Sequence, residues 1–280
     1  MKNRISRILP VVALGSLMLA GCVTTENGRV VGSGIPPGGT AGQTTSGSGG
    51  SARDAGDERR RRSDIRLQLA AQHYQQNNFR QAMSEVNDAI GIDRDSARAY
   101  GMRGLINWQI GDRAAAEDDF RRGLTLDPKN ADINNNYGWY LCKTDRARES
   151  IAYFQTATED LLYRTPAMPL HNAGICSLQA GDEAAAENYF ARSFQVDPNN
   201  PVAMYNLGDL YLKRGNLERA KFYSDRLLSQ YLPSAETLWL ALRVARAGGD
   251  QTYAASLGGE LERRFPGSRE AALLKQRAYQ

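Results

Sequence analysis

The chain is poor in the residues that enzymes and membrane proteins lean on. Its 280 residues include two histidines, three cysteines and three tryptophans. His73 and His171 stand far apart, and no His-x-x-x-His or Cys-x-x-Cys spacing occurs, so the common zinc patterns are missing. No metal and no cofactor are expected. There is no glycine-rich phosphate loop. The one long apolar run, Ile8 to Ala20, is about 13 residues, short of the roughly 20 that span a bilayer. A basic surplus is also missing where it would count. The formal net charge is +4, but Lys2, Arg4 and Arg7 sit at the extreme N-terminus. Between Ser63 and Ser268 there are 23 Lys and Arg against 26 Asp and Glu. That balance argues against nucleic acid as a partner. The overall composition excludes a collagen, a multi-span membrane protein and a wholly disordered chain.

What is present begins with an export pattern. Lys2, Arg4 and Arg7 form a positive head, Ile8–Ala20 an apolar middle, and Leu19-Ala20-Gly21-Cys22 a small-residue cleavage site. The last four residues resemble the bacterial lipobox. That resemblance implies removal of residues 1–21 and a diacylglycerol on Cys22. Val23, rather than an aspartate, follows the cysteine, which by the same analogy implies the inner leaflet of the outer membrane, facing the periplasm. Residues 22–62 then read as a flexible tether. Between Gly28 and Gly56 there are ten glycines, and such a stretch buries too little apolar surface to offset its ordering entropy. As a Gly-rich coil of about 40 residues it reaches roughly 35 Å. Arg59 to Arg62 fit either contact with anionic head groups or a solvated flank of the first helix.

From Ser63 the sequence repeats itself. Gly104, Gly111, Ala116, Phe120 and Pro128 recur with identical spacings as Gly174, Gly181, Ala186, Phe190 and Pro198. The phase fits six windows of 34 residues, 63–96, 97–130, 131–164, 167–200, 201–234 and 235–268, broken only by Thr165-Pro166. Residues 269–280 read as a C-terminal helix end. This pattern resembles the tetratricopeptide repeat (TPR). The expected fold class is all-α, a TPR solenoid in which each window is a pair of amphipathic helices. Small residues at position 8 (Ala70, Gly104, Gly138, Gly174, Gly208) and position 20 (Ala82, Ala116, Ser150, Ala186, Ala220, Ala254) allow close helix approach. Large residues at position 24 (Val86, Phe120, Phe154, Phe190) fill the space between repeats. Leu242 replaces the small residue in the sixth window. Gly111, Gly181, Gly215 and Gly249, with Asn77 in the first window, are placed to end first helices in the left-handed conformation.

No catalytic constellation emerges, and no turnover of a small-molecule substrate is expected. Asp118-Asp119 and Glu159-Asp160 read as charge pairs on solvated helix faces. His73 and His171 read as packing or groove residues. Cys142 and Cys176 fall in first helices of adjacent windows, which should be neighbours. They form either an inter-repeat disulfide, as an exported protein permits, or two buried thiols.

First helices of TPR arrays line the groove, chiefly through positions 2, 5, 6, 9, 12 and 13. Here these positions include Tyr74, Leu105, Trp108, Asn136, Trp139, Met168, His171, Asn172, Ile175, Tyr205, Asn206 and Leu212. This is an apolar, aromatic lining suited to a protein partner. Asn136, Asn172 and Asn206 share position 6, where an amide can pair with an extended backbone or serve helix packing. The Lys and Asn pattern of a carboxylate clamp is not matched.

Asn136-Tyr137-Gly138-Trp139-Tyr140-Leu141-Cys142, Asn172-Ala173-Gly174-Ile175-Cys176 and the Thr165-Pro166 insertion look like the type IV pilus biogenesis lipoproteins of the PilF and PilW family. The resemblance implies a pilotin: a lipid-anchored, non-catalytic protein that binds the pilus secretin and helps it reach the outer membrane and multimerise. The other reading of the same features is a TPR lipoprotein that scaffolds peptidoglycan enzymes.

Overall fold

The computed structural model describes residues 52–160 and 163–278, and within them the chain is all-helical. Helix α1 spans Ala52–Gln75 and α2 Phe79–Ile92. They are followed by α3 (Ala97–Gln109), α4 (Arg113–Leu126), α5 (Ala131–Lys143), α6 (Ala147–Ala157), α7 (Ala167–Gln179), α8 (Glu183–Val196), α9 (Pro201–Lys213), α10 (Leu217–Gln230), α11 (Ala235–Ala247), α12 (Gln251–Arg264) and α13 (Arg269–Ala278). Each odd helix packs on the even helix that follows it, each even helix on the next odd one, and α1, α3, α5 and α7 touch in turn. The result is the TPR solenoid, with first helices forming one layer and second helices the other.

The turns come from local sequence. Gly111, Gly181, Gly215 and Gly249 have φ between 74° and 92°, and Asn77 and Asp145 reach 57° and 64° at the same place in their windows. The residue that follows donates its N–H five residues back, Asp112 to Asn107 and Asp182 to Ser177 for example, which closes the first helix. In the four windows that turn on glycine, that same residue also caps the second helix with its side chain. Asp112 and Asp182 accept from Ala115 and Ala185. Asn130 and Asn200, just after the Asp-Pro pairs, cap α5 and α9 in the same way.

Packing explains the small-and-large code. A Cβ built on Gly104, Gly138 or Gly174 would lie 2.9, 3.0 or 2.6 Å from the ring of Phe120, Phe154 or Phe190 respectively. All three rings are fully buried. The sixth window inverts the pair: Leu242 is buried at position 8, and Gly258 stands at position 24, where a Cβ would meet Leu242 at 3.4 Å. Gly174→Ala is therefore expected to destabilise by about 1–3 kcal/mol through overpacking, although alanine is ordinarily the better helix former. Phe190→Leu in the same molecule should recover part of that loss. Urea denaturation of the four variants measures it, and a Gly174→Ala protein as stable as the parent would refute the packing account.

Three expectations need correction. The flexible tether does not extend to residue 62, because α1 begins at Ala52. Ala, Arg and Glu dominate residues 52–62, and their helix propensity outweighs Asp54, Gly56 and Asp57. Asp119 is not on a solvated face. It is buried, paired bidentately with Arg103 at 2.7 and 2.9 Å and bonded by Asn107 at 2.9 Å. Residues 269–278 are a separate helix rather than the end of the preceding one, and α13 packs on α11 and α12 where a seventh window's first helix would sit. The leader, Cys22 and residues 23–51 lie outside the described residues.

Candidate partner-binding groove

The first-helix layer places the groove residues on one side. Tyr74, Leu105, Trp108, Asn136, Trp139, Met168, His171, Ile175, Tyr205, Asn206 and Leu212 are all half-buried, while Asn172 is buried. Leu105 and Asn136 meet in a cavity of about 270 Å³ between α1, α3 and α5. Leu67, Gln68, Met102 and Ile133 complete its walls, and Arg98 and Asp132 stand among its polar residues. Arg98 is held by Asp64 at 3.0 Å across the α1–α3 step. A larger recess, about 760 Å³, opens beside the α7–α8 turn between Arg148, Ile151, Gly181 and Tyr189, and contains none of the groove positions.

Several predicted residues are partly spent on the fold. Tyr74 packs edge-on against Phe79, and Trp108 against Tyr140. Trp139 carries the Lys143 ammonium 4.2 Å above its ring, and burial pushes that lysine's pKa down. Lys143 occupies groove position 13, a position the spacing already marked, yet the apolar reading passed over it. The three position-6 asparagines diverge. Asn172 donates to Asn135 on α5 at 3.0 Å, and Asn206 donates to the Val202 carbonyl of its own helix. Asn136 faces the cavity. Met168 Sδ takes a 3.6 Å contact from Asn135. Ile175, Tyr205 and Leu212 pack at the margin of the core around Phe190 and Leu207. Further along, Asp209 is clasped by Lys213 at 2.9 Å and Arg243 at 2.7 Å. Burial would raise its pKa, and the two cations override that and hold it low.

Cys142 and Cys176 form a disulfide between α5 and α7, with Cα atoms 5.8 Å apart. Both residues are fully buried. Gln179 donates to the Cys142 carbonyl at 3.0 Å across the same step.

His171 is fixed by a chain of hydrogen bonds. Ser193 donates to the Ala167 carbonyl, Asn200 donates to Ser193, and the Asn200 amide stands 2.9 Å from His171 Nδ1. Burial drives the imidazole pKa down to about 4, against a partial opposing pull from Asp197. The folded state thus keeps His171 neutral while the unfolded chain, near 6.5, takes up a proton. Stability from this source is complete above pH 6.5 and falls as pH drops toward 4, by about 3 kcal/mol in all. His171→Gln should lose that dependence. Denaturation midpoints from pH 7 to 4 test it, and parallel curves for the two proteins would overturn it.

Comparison with known proteins places this architecture. Tetratricopeptide-repeat profiles match residues 97–130 and 177–242. The type IV pilus assembly protein PilF of Pseudomonas aeruginosa is 31% identical over 207 residues, covering 74% of this chain and 82% of PilF. The chain belongs to the PilF and PilW family. The crystal structure of PilW, described as a widely conserved type IV pilus biogenesis factor, superposes with a TM-score of 0.68 at 34% identity. It covers 76% of this chain and 97% of PilW. The solved structure of P. aeruginosa PilF gives 0.73 at 30% identity, covering 79% and 99%. Like its relatives in this family, the chain takes part in type IV pilus biogenesis. Its repeats are of a kind that typically serves protein interaction rather than catalysis. Among the described residues no helix is long and apolar enough to cross a membrane, and no cluster of three or more His, Cys, Asp or Glu is arranged to hold a metal.

Proposed function

We propose that this protein is a secretin pilotin, lipidated on Cys22, held to the inner leaflet of the outer membrane, and able to capture pilus secretin subunits. The observation that carries the reading is the groove itself, set in a chain whose family serves pilus biogenesis. Its walls combine Leu67, Met102, Leu105 and Ile133 with the polar Gln68 and Asn136. That composition suits an extended segment with an apolar anchor, bound without bond-making chemistry. The lipobox resemblance supplies the anchor. The glycine-rich composition of residues 23–51 suits a leash between that anchor and the repeats. Holding subunits at one surface raises their local concentration and favours ring assembly.

Deleting the gene is expected to leave secretin as monomers and abolish twitching motility, with Leu105→Glu reproducing part of the defect. Secretin multimers at parental levels in the deletion strain would defeat the proposal. Affinity purification from envelope extracts, scored for secretin against murein hydrolases and synthases, separates it from the peptidoglycan-scaffold reading. Radioactive palmitate tests the anchor, and label persisting in Cys22→Ala would refute it.

A further inference from the structure

The step from the fourth window to the fifth is plugged by different chemistry from its counterpart two windows earlier. Between α3, α4 and α5 the plug is aliphatic. Ile133, at window position 3, is buried against Gly101 and Gly123, at positions 5 and 27 of the preceding window. A Cβ on those glycines would lie 2.7 and 3.1 Å from its side chain. Between α7, α8 and α9 the same three positions hold Ala203, His171 and Ser193. The short Ala203 leaves room, and an imidazole and a hydroxyl enter it from the other side.

Asn200 ties these groups together. It is buried, and Ser193 is fully buried. Asn200 Oδ1 accepts from the Ala203 N–H at 3.1 Å and so caps α9. Its Nδ2 gives one hydrogen to Ser193 Oγ at 3.1 Å and stands 2.9 Å from His171 Nδ1 with the other. Ser193 donates its own proton to the Ala167 carbonyl. The Asn200 amide cannot be reversed without losing the cap. His171 Nδ1 is therefore an acceptor, and the ring proton sits on Nε2. A second proton, on Nδ1, would set two donors against each other. At the counterpart step Asn130 caps α5 in the same way but gives its amide to Asp127 of its own turn, so that cap is independent of the preceding first helix.

Little around the ring would welcome a charge. Burial favours the neutral imidazole, and Asp197, in the turn between α8 and α9, pulls only partly the other way. Helix α7 has no other acidic or basic residue. On the packed helices, Glu149 of α6 pairs with Arg146, Glu187 of α8 with Tyr211 and Arg214, and Asp209 of α9 with Lys213 and Arg243. Lys143 of α5 lies over Trp139. We propose that His171 is an acid-operated latch: protonation of Nδ1 expels Asn200 from α7, uncaps α9 and opens the groove wall between the fourth and fifth windows. Release of a bound partner in acid rests on the groove reading above, whereas the latch and its test do not.

The test is hydrogen–deuterium exchange of the purified full-length protein at pH 7 and pH 5, corrected for the intrinsic rate at each pH. Mass spectrometry reads peptides covering residues 200–212, in α9, and 130–142, in α5. The imidazole takes up its proton on opening, so the closed form is favoured above pH 6.5 and loses ground as pH falls toward 4. Protection of the α9 peptide should fall about tenfold or more between the two pH values, with no such fall in the α5 peptide. His171→Gln should remove the pH dependence of the α9 peptide. In the parent itself, ring nitrogen shifts from nuclear magnetic resonance should show His171 neutral at pH 7 with its proton on Nε2, a readout that does not depend on how the variant folds. Unchanged protection in α9, an equal loss in both peptides, the same loss in His171→Gln, or a proton on Nδ1 at pH 7 would overturn the proposal.

Discussion

Replacing Cys142 and Cys176 together by alanine is expected to lower the stability of the folded array by about 4 kcal/mol, from the entropy of the loop that the link closes. The bond spans 34 residues and ties α5 to α7. It crosses the step between the third and fourth windows, where the 34-residue period is interrupted. Helix α6 ends at Ala157, three residues short of the equivalent points in α4 and α8, and Thr165-Pro166 interrupts the period just before α7. In a solenoid each repeat contacts only its neighbours, so a weakened step is not compensated from afar. Urea denaturation of the variant should therefore show an earlier transition that divides into two, one for each side of the step. Thiol titration of the denatured, unreduced parent should find neither cysteine of the pair reactive. A midpoint within about 1 kcal/mol of the parent, after correction for its slope, would show that the link contributes little.

The period was legible because solenoid packing repeats its demands. The glycine beneath each phenylalanine, and the glycine that turns left-handed before a capping Asp or Asn, must recur wherever the geometry recurs. The first helices from α3 to α11 accordingly begin on the first residue of each later window. Window six keeps the same demand with the pair reversed, since Leu242 is matched by Gly258 sixteen residues on. Three features were less legible. The helical start at Ala52 carries no apolar stripe, and periodicity cannot detect a helix that buries nothing. The short α6 follows from Thr158, whose hydroxyl donates to the Gln155 carbonyl and whose N–H is shared between Phe154 and Gln155. Local competition of this kind leaves no trace in a 34-residue pattern. The groove is half legible for a related reason. Its positions follow from helix geometry, but whether Asn172 faces a ligand or a neighbouring asparagine depends on a residue in another window, Asn135.

The same blindness hid Asp119, and its environment sets the second large effect. Removing Arg103 alone, as Arg103→Met, should cost about 3–5 kcal/mol, because a carboxylate already out of water loses its counter-charge. Asp119 has 8% of its side chain exposed and Arg103 28%. The guanidinium also donates to Asn87 and lies 5.3 Å from the Tyr100 ring centroid, so it braces α3 against both α2 and α4. The bidentate bond to Asp119 holds the Arg103 guanidinium above its ordinary pKa, against the opposing effect of burial. A paired buried charge is nevertheless no better than a well-packed apolar substitute of equal volume. The triple variant Arg103→Met, Asn107→Leu, Asp119→Leu, which removes the whole polar group, should return to within about 1–2 kcal/mol of the parent. Asn107 belongs in the set because its buried amide otherwise loses its acceptor. Denaturation of the single and triple variants decides between two accounts. If the triple variant is as weak as Arg103→Met, the network adds net stability that apolar packing cannot replace. If it recovers, the network's role is to fix the pairing of α3 with α4 in one arrangement, and with it the aim of Leu105 and Met102 into the groove.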